Sequence, residues 1–502
     1  MLQRELWAGL VTVLGLFLFA FLRVCLRFHR YLSMLDALPG PKGYPIIGNL
    51  LLLNVHKTGV IPMIEGMLKF GPIARGRAFG VAHVIISDVN SIEKVLSSTR
   101  YIKKSTDYRF LKPWLQEGLL TSTGSKWHTR RKILTSAFHF KILGDYLPVF
   151  YRNSIILVEK LKEHIEKPFI KINSFITLCT LDIICETAMG TSINAQLGEE
   201  VEYVRSVQRI SELFQLRQLT VRLYSDLLFK FSSMGREQAK VLGILHGFSN
   251  KIIKQRRAEY KAEVNDPTNT EGRVSKRKHL AFLDLLIEIS EKEHTLTDRD
   301  IQEEVDTFMF EGHDTTTSAI CWALYLLGKH PDIQERVVEE LNGIFGDSDR
   351  SPTHDDLSSM KYLEQVIKET LRLYPSVPAF SRQLETDIEL LGHTVPAGAN
   401  ISVLPLFLHR DPKLYPDPEK FDPDRFSVEA CQNRHPYSYL PFSAGPRSCI
   451  GQRFALMEEK VVLSTVLRNF RLESLDKPED ITMLMELILR PMEELRIRFS
   501  PR

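Results

Sequence analysis

The chain of 502 residues lacks several features that would define its class at once. Its six cysteines are scattered, with no Cys-x-x-Cys pair and no disulfide-dense framework, which favours a reducing compartment. Lys and Arg number 65 against 62 Asp and Glu, and no basic block occurs, so we expect no nucleic-acid partner. The composition is 44% hydrophobic and 25% charged, which argues against a disordered chain and a polytopic membrane protein.

Long hydrophobic runs are also scarce, with one exception near the amino terminus. The uncharged run from Leu6 to Leu22 has 17 residues, at the lower limit for a bilayer-spanning helix, and Arg23, Arg27 and Arg30 follow it. A cleaved signal peptide would need a small-residue cleavage pattern that does not follow, and a buried core helix fits the basic flank poorly. We therefore predict a retained membrane anchor with its basic flank over residues 1–30, and a cytosolic body.

The rest of the chain changes composition along its length. A proline- and glycine-rich segment over residues 31–48 predicts a semi-rigid hinge, and residues 70–95 predict a small strand-rich region. Apolar residues at three- to four-residue spacing then predict mostly helices, and residues 263–278 predict an exposed loop rather than an interdomain linker. The fold class is therefore mainly α with a small β-rich region. Dense prolines from 375 to 446 predict an extended meander before one more helix.

The decisive segment is a cysteine loop at a helix entrance. It carries five residues at fixed offsets, namely Phe442, Gly445, Arg447, Cys449 and Gly451. Turn-forming residues, the helix N-terminus and the nearby arginine would favour a thiolate, which is a good iron ligand. A lone cysteine is by default an inert small hydrophobe, but these offsets argue otherwise. At all five positions the loop resembles the signature of the cytochrome P450 superfamily of haem-thiolate monooxygenases.

The resemblance implies a haem cofactor, a cytochrome P450 fold and one catalytic domain over residues 49–502. Cys449 would be the proximal iron ligand, Phe442 would shield its sulfur, and Arg447 would pair with a haem propionate. Further family positions imply more propionate contacts, from Trp127 and Arg131 in a Trp-x-x-x-Arg element and from Arg382. The family layout also places pocket segments at residues 108–120, 214–228, 377–380 and 484–487.

A Glu-x-x-Arg spacing occurs three times in the sequence. The motifs that follow each copy along the chain show which of them matches the family. Only Glu369 and Arg372 are followed by Arg425 and then by the cysteine loop, as in the family, where the three form a buried structural clamp. At Glu202/Arg205 and Glu493/Arg496 we expect exposed helical ion pairs.

A long helix is predicted from a Ser/Thr-x-x-acid cap at Thr297 to about Lys329. Gly312 would weaken this helix and permit a local groove, in which the superfamily binds oxygen. Asp314 and Thr315 are neighbouring proton-handling groups, which suits proton delivery through water. His313 is expected to be a groove or packing residue rather than an iron ligand.

Glu311, one place before that glycine, is typical of the fourth cytochrome P450 family, whose members are often fatty-acid ω-hydroxylases. In many of them this glutamate forms an ester to a haem methyl, which we state here as a hypothesis. The whole chain resembles this family.

These features together predict a membrane-anchored monooxygenase that inserts one oxygen atom of O2 into a hydrophobic substrate. A fatty acid or related lipid is the first candidate substrate, oxidised at its terminal (ω) carbon. The sequence lacks a Gly-x-Gly-x-x-Gly loop and a Walker-type phosphate loop, so electrons from NADPH would come through NADPH-cytochrome reductase, with cytochrome b5 as a second candidate donor. We expect the endoplasmic reticulum membrane as its location. The alternatives are a haem-thiolate isomerase or dehydratase, against which the Asp314–Thr315 pair argues, and a non-enzymatic haem sensor or lipid-binding protein.

Overall fold

The computed structural model describes residues 2–44, 47–53, 56–78, 80–138, 140–198, 201–265 and 281–502. The predicted exposed loop at residues 263–278 lies, from residue 266 onward, outside the described residues.

The described part is mainly helical, and its α-helices lie one after another along the whole chain. They are α1 (Leu2–Asp36), α2 (Val60–Leu68), α3 (Val89–Leu96), α4 (Lys112–Leu115), α5 (Gly124–Ala137), α6 (Phe140–Leu143), α7 (Leu147–Lys162), α8 (Ile172–Thr187), α9 (Val201–Leu219), α10 (Asp226–Phe231), α11 (Ser233–Asn265), α12 (Phe282–Glu293), α13 (Asp298–Lys329), α14 (Pro331–Phe345), α15 (His354–Ser359), α16 (Lys361–Leu373), α17 (Pro405–Leu408), α18 (Val428–Cys431) and α19 (Gln452–Asn469).

The strands are short and form small sheets. They are β1 (Ile73–Ala78), β2 (Val81–Ile86), β3 (Ile170–Lys171), β4 (Phe380–Gln383), β5 (Ile388–Leu390), β6 (His393–Val395), β7 (Asn400–Val403), β8 (Phe470–Ser474), β9 (Met483–Met485), β10 (Leu489–Pro491) and β11 (Arg496–Pro501). One sheet has the order β1-β2-β7-β4, in which β2 and β7 are parallel and the other pairs antiparallel. This sheet joins the strand-rich region near the amino terminus to the proline-rich meander.

The predicted strand-rich region contains both strands β1 and β2, but its last part is helical. Helix α3 starts at Val89 because the Asp88 side chain accepts a hydrogen bond from the Ser91 amide and caps the helix. Its buried residues, such as Ile92 and Val95, lie on one helical face.

Helix α1 contains the predicted anchor. Its residues 5–36 are long enough to cross a membrane and contain an 18-residue window with a mean hydropathy of 2.3, and the apolar side chain of Phe17 is 75% exposed. The helix continues to Asp36, six residues into the segment predicted as a hinge. The reason is tertiary, because Leu35 is fully buried in the hydrophobic cluster under the first sheet.

Helix α13 runs through the main hydrophobic core and contacts α8, α19 and β8. Its predicted N-cap is confirmed, since the Thr297 hydroxyl accepts from the Asp300 amide and the Asp300 carboxylate accepts from the Thr297 amide. The helix continues through Gly312 without a break. A Cβ at that position would lie 2.6 Å from the Ile184 side chain, so this glycine allows α8 to approach closely.

Candidate functional site

A cavity of about 400 Å³ lies where α13, the cysteine loop and the first sheet meet. Eight of the predicted site residues line it, namely Trp127, Arg131, Glu311, Thr315, Arg382, Phe442, Arg447 and Cys449. Four others do not line it, namely Asp314, Glu369, Arg372 and Arg425. The structure therefore brings the predicted haem-contact residues together, although they come from chain segments more than 300 residues apart.

The cysteine loop is held in one conformation by its backbone. Gly445 has a φ of +70°, and a Cβ there would lie 1.9 Å from the carbonyl oxygen of Leu96 at the end of α3. The Cys449 amide donates to the Phe442 carbonyl at 2.9 Å, and α19 begins at Gln452. The loop thus places Cys449 immediately before a helix N-terminus, as the sequence predicts.

The Cys449 side chain is solvent-accessible where it lines the cavity, and the rest of the residue is surrounded by protein atoms. Burial raises the pKa of its thiol to about 11, and the acidic Glu311 acts in the same direction. The Gly451 amide and the Arg131 guanidinium lower this pKa, but by less. Desolvation in the cavity wall thus acts against the helix N-terminus, and the thiolate expected at Cys449 stays a prediction. A thiolate here needs a bound cation, which agrees with a metal-ligating role.

Four cationic side chains face the same cavity. They are Lys104, Arg131, Arg382 and Arg447. Burial lowers the pKa of each of them, and that of Arg447 falls to about 9. Within the described residues none of the four forms an ion pair with a carboxylate, and Arg447 donates instead to the backbone carbonyls of Ile102, Leu119 and Ser122. This surplus of buried positive charge fits a cofactor that carries two carboxylates, as haem does.

Lys104 was not predicted from the sequence. Its backbone forms an isolated antiparallel bridge with Arg382 of β4, which brings its side chain to the cavity beside the Tyr108 ring. The sequence shows a pair of lysines at residues 103–104 in an extended stretch, which is the one local signal for this residue. The pairing of Lys104 with a strand nearly 280 residues later depends on the tertiary structure.

Glu311 and Thr315 lie one helical turn apart on the cavity face of α13. The Thr315 hydroxyl donates to the Glu311 carbonyl at 2.7 Å. Burial raises the pKa of Glu311 to about 7, although Lys104, Arg131 and Arg447 lower it. Thr316 donates to the Gly312 carbonyl in the same way. The helix is nevertheless continuous here, so the expected groove does not interrupt it.

Asp314 lies on another face of α13, away from the cavity. Its carboxylate is only 1% exposed and forms an ion pair with Arg490 of β10, with Nη2 to Oδ1 at 2.6 Å. The neighbouring His313 is buried, its Nδ1 lies 2.5 Å from the Met309 carbonyl, and burial lowers its pKa. His313 is therefore a packing residue of the helix, as expected.

The structure places Glu369, Arg372 and Arg425 together in the protein interior. Arg372 and Glu369 are fully buried and form two hydrogen bonds of 2.7 and 2.8 Å, and Arg425 Nε lies 3.5 Å from Glu369 Oε1. Arg372 also donates to the carbonyls of His409, Pro418 and Lys420 in the proline-rich meander.

The other two copies of the same spacing behave differently. Glu202 and Arg205 are exposed on α9, and within the described residues they form no ion pair with each other. Arg496 lies in β11 and pairs with Asp476 rather than Glu493. The expectation of helical ion pairs is wrong at both places. Arg496 lies in a strand rather than a helix, and on α9 an exposed pair gains little from ordering two long side chains.

Mostly apolar side chains line the rest of the cavity, and all four predicted pocket segments contribute to it. These lining residues include Tyr108, Leu119, Leu120, Phe214, Phe310, Val377, Phe380, Met485 and Leu487, with Gln218 and Glu486 as polar members.

Comparisons with known proteins show the family of the chain. A sequence model of the family described as Cytochrome P450 matches residues 38–499. Among curated proteins, Cytochrome P450 4c3 of Drosophila melanogaster is 46% identical over 488 residues, 95% of this chain and 91% of that protein. Cytochrome P450 4V2 of Homo sapiens is 46% identical over 468 residues, 92% of this chain and 89% of that protein. Cytochrome P450 4d1 of Drosophila melanogaster is 39% identical over 494 residues, 95% and 96% of the two chains.

Identities of this size over nearly the whole length show the family and confirm that the chain resembles it. Members are oxidoreductases that use haem iron as cofactor, receive electrons from a redox partner and act on hydrophobic substrates. The chain therefore belongs to the cytochrome P450 family and is a haem-dependent monooxygenase.

Proposed function

We propose that this monooxygenase hydroxylates the terminal (ω) carbon of a fatty acid or related lipid. The observation that carries the proposal is the composition of the cavity, in which Cys449 and four cations adjoin mostly apolar walls. Such walls suit a long aliphatic chain, which gains about 0.8 kcal/mol for each buried CH₂. Glu311, the residue typical of the ω-hydroxylating family, lines the same cavity and supports this substrate class.

In this proposal Cys449 holds the haem iron, and Lys104, Arg131, Arg382 and Arg447 hold its propionates. Trp127 supports Arg447, whose guanidinium lies 4.4 Å over the indole ring, and Phe442 covers the sulfur. The bound haem would supply oxygen activation, promoted by electron donation from the thiolate. The cations would neutralise the propionates in a place where an unpaired charge is costly.

Protons would reach the bound oxygen through Thr315, whose hydroxyl lines the cavity. Asp314 would take part after its carboxylate leaves Arg490, since in the structure this ion pair holds it on another face of α13. The two residues are therefore proposed as successive proton carriers rather than as two groups facing the same water.

Glu311 is proposed to form an ester with a haem methyl group, in which a C–O bond would replace one methyl C–H bond. This is a two-electron oxidation, and the O2 that the monooxygenase activates during turnover would be the oxidant. Its carboxyl lines the cavity, and a pKa near 7 keeps a large part of it protonated at neutral pH. Extraction with acidified acetone would leave haem on the protein if the ester forms. Complete removal of haem by that treatment would count against the ester.

The proposed arrangement in the cell is an anchor in the endoplasmic reticulum membrane with a catalytic domain over residues 49–502 in the cytosol. The basic residues after the apolar run support the cytosolic orientation. Electrons would come from NADPH through NADPH-cytochrome reductase, with cytochrome b5 as a second donor.

Reconstitution with the reductase tests the proposed function. Product analysis across a panel of long-chain lipids should find oxygen on the terminal carbon, with NADPH consumption that depends on the lipid. NADPH oxidation that no lipid stimulates, or oxidation only at internal carbons, would contradict terminal hydroxylation.

A further inference from the structure

His246 on α11 bridges two other elements with its two ring nitrogens. Its Nδ1 lies 2.9 Å from Asp306 Oδ2 on α13, and its Nε2 lies 3.1 Å from the carbonyl oxygen of Pro113 in α4. Among the described residues, the contact with Pro113 is the only hydrogen bond that joins α4 to another helix. Neither the family motifs nor the proposed chemistry gives these three residues a task.

The two partners of His246 determine how many protons the bridge holds. A carbonyl oxygen only accepts hydrogen bonds, so Nε2 must carry a proton to bond to Pro113. A second proton must then lie between Nδ1 and Asp306 Oδ2, because a ring nitrogen without a proton and a carboxylate both only accept. The bridge therefore holds one proton more than a neutral histidine beside a carboxylate does.

The groups around His246 favour this additional proton. Burial lowers the pKa of His246, but the hydrogen bond to Asp306, the charge of Asp306 and the Pro113 carbonyl together raise it above the ordinary 6.5. Burial raises the pKa of Asp306, although His246 and the Ser249 hydroxyl lower it. On α9, burial and the charge of Asp306 raise the pKa of Tyr203 well above its ordinary value, so Tyr203 stays neutral. The His246 side chain is 24% exposed, so solvent can supply and remove the proton.

Helix α4 belongs to a wall of the cavity that contains Cys449. The segment around α4 contributes Tyr108, Leu119 and Leu120 to the lining of this cavity. Trp114 of α4 packs on Phe310 of α13 with ring centroids 4.5 Å apart, and Phe310 lines the cavity as well. The bridge at Pro113 therefore fixes this wall to α11 and α13.

We propose that His246 is a positioning residue that holds this wall closed while it is protonated, and that loss of one proton releases α4 and speeds the passage of ligands. The proton that remains on the ring then stays beside Asp306, because an unpaired buried charge costs more than an unpaired carbonyl. Nε2 turns a lone pair towards the Pro113 carbonyl, and the two repel each other. The bridge is complete below pH 6.5 and is lost as the pH rises through the raised pKa of His246. Such control of ligand passage is independent of which carbon of the substrate is oxidised.

Stopped-flow binding to the haem-loaded protein tests this role of His246. The probe is phenyl isocyanide, which binds haem iron and carries no charge, and its association is followed by the change in haem absorption. From about pH 6 to about pH 8.5 the association rate of the unmodified protein should rise about fivefold, the factor that corresponds to one lost hydrogen bond. In His246→Gln, whose side chain does not titrate, the rate should not depend on pH in this range. Asp306→Asn should move the rise to lower pH, because no carboxylate then raises the pKa of His246.

His354→Gln, at an exposed position on α15, is the matched control and should keep the rise. Hydrogen exchange of the unmodified protein adds a measurement that needs no variant. The amides of residues 112–118, corrected for the intrinsic effect of pH, should exchange about fivefold faster at the upper end of the range. A full rise in His246→Gln, an unchanged midpoint in Asp306→Asn, loss of the rise in His354→Gln or unchanged exchange would each overturn the role of His246. None of these outcomes bears on terminal hydroxylation, which product analysis tests separately.

Discussion

At the scale of single residues, Glu369 accepts several hydrogen bonds in the protein interior. It accepts two hydrogen bonds from Arg372 and one of 2.9 Å from the Asp422 amide, and all of its side chain is buried. Replacing it by Gln leaves the buried Arg372 without a counter-charge. We expect Glu369→Gln to lower the free energy of unfolding by about 3–5 kcal/mol, measured by denaturant titration of the haem-loaded protein.

Glu202→Gln is the matched control for this prediction. Glu202 has the same spacing to an arginine, but it is exposed and unpaired within the described residues. Its replacement should change stability by less than about 0.5 kcal/mol. Equal effects of the two substitutions would contradict the structural role assigned to Glu369.

The buried His409 should make the free energy of unfolding depend on pH. Burial, with help from the charge of Arg372, lowers its pKa from 6.5 to about 3, and its Nε2 accepts a hydrogen bond of 2.8 Å from the Leu440 amide. Below pH 6.5 the unfolded chain therefore binds a proton that the folded chain does not, so stability falls as the pH falls towards 3. The contribution of this one group is about 1.4 kcal/mol for each pH unit.

In the variant His409→Gln the side-chain amide oxygen can still accept a hydrogen bond, but the side chain does not titrate. The free energy of unfolding of this variant should therefore fall less steeply as the pH is lowered. His354→Gln, at an exposed position, is the control and should follow the unmodified protein. Parallel curves for all three proteins would remove His409 as a source of the acid sensitivity. The measurement is denaturant unfolding at a series of pH values across the window.

At the scale of elements, the end of α1 is fixed to the first sheet. Arg75 of β1 donates to the Leu35 carbonyl at 3.0 Å and to the Pro41 carbonyl at 2.8 Å, and its Nη2 lies 3.2 Å from Asp36. The Asn49 side chain also donates to the Pro41 carbonyl. The chain after the anchor helix is thus docked on the sheet by buried polar groups.

Replacing Arg75 by Met should release this docked segment. Loss of two buried hydrogen bonds and an ion pair should lower its local opening free energy by about 1–3 kcal/mol, so the Tyr44 and Gly48 amides should exchange with solvent about ten- to a hundredfold faster. Arg30→Met, at an exposed position of the same helix, is the control. Unchanged exchange in Arg75→Met would show that the apolar contacts of Leu35 alone hold the segment.

Local signals in the sequence predicted the elements that depend on neighbouring residues. The capping pair at Thr297 and Asp300 and the position of Cys449 before α19 both follow from short patterns. Features that depend on distant partners could not be predicted. The ion pair that turns Asp314 from the cavity needs Arg490, which lies 176 residues away, and Lys104 reaches the site only through its bridge to Arg382.

For the molecule as a whole, two exposed apolar surfaces among the described residues could contact a bilayer. One is the exposed run of α1, and the other is formed by Leu227, Leu228 and Phe231 around α10, which are 59–71% exposed. Removal of residues 2–30 keeps the part of α1 that packs on the sheet. We expect this truncated protein to bind haem but to associate with phospholipid vesicles much more weakly, in flotation experiments.

Two results would contradict that expectation. Full flotation of the truncated protein would assign membrane binding to the α10 surface rather than to the anchor. Loss of haem binding would show that residues 2–30 are needed for the catalytic domain to fold.

The central claim for the whole protein is that Cys449 holds the haem iron through its thiolate, and the optical spectrum of the reduced carbon monoxide complex tests it most directly. The unmodified protein should show the thiolate-type absorption band, and Cys449→Ser should lose it even where haem remains bound. Cys431→Ser, at an exposed position outside the cavity, should keep the band. A thiolate-type band that persists in Cys449→Ser would contradict the account.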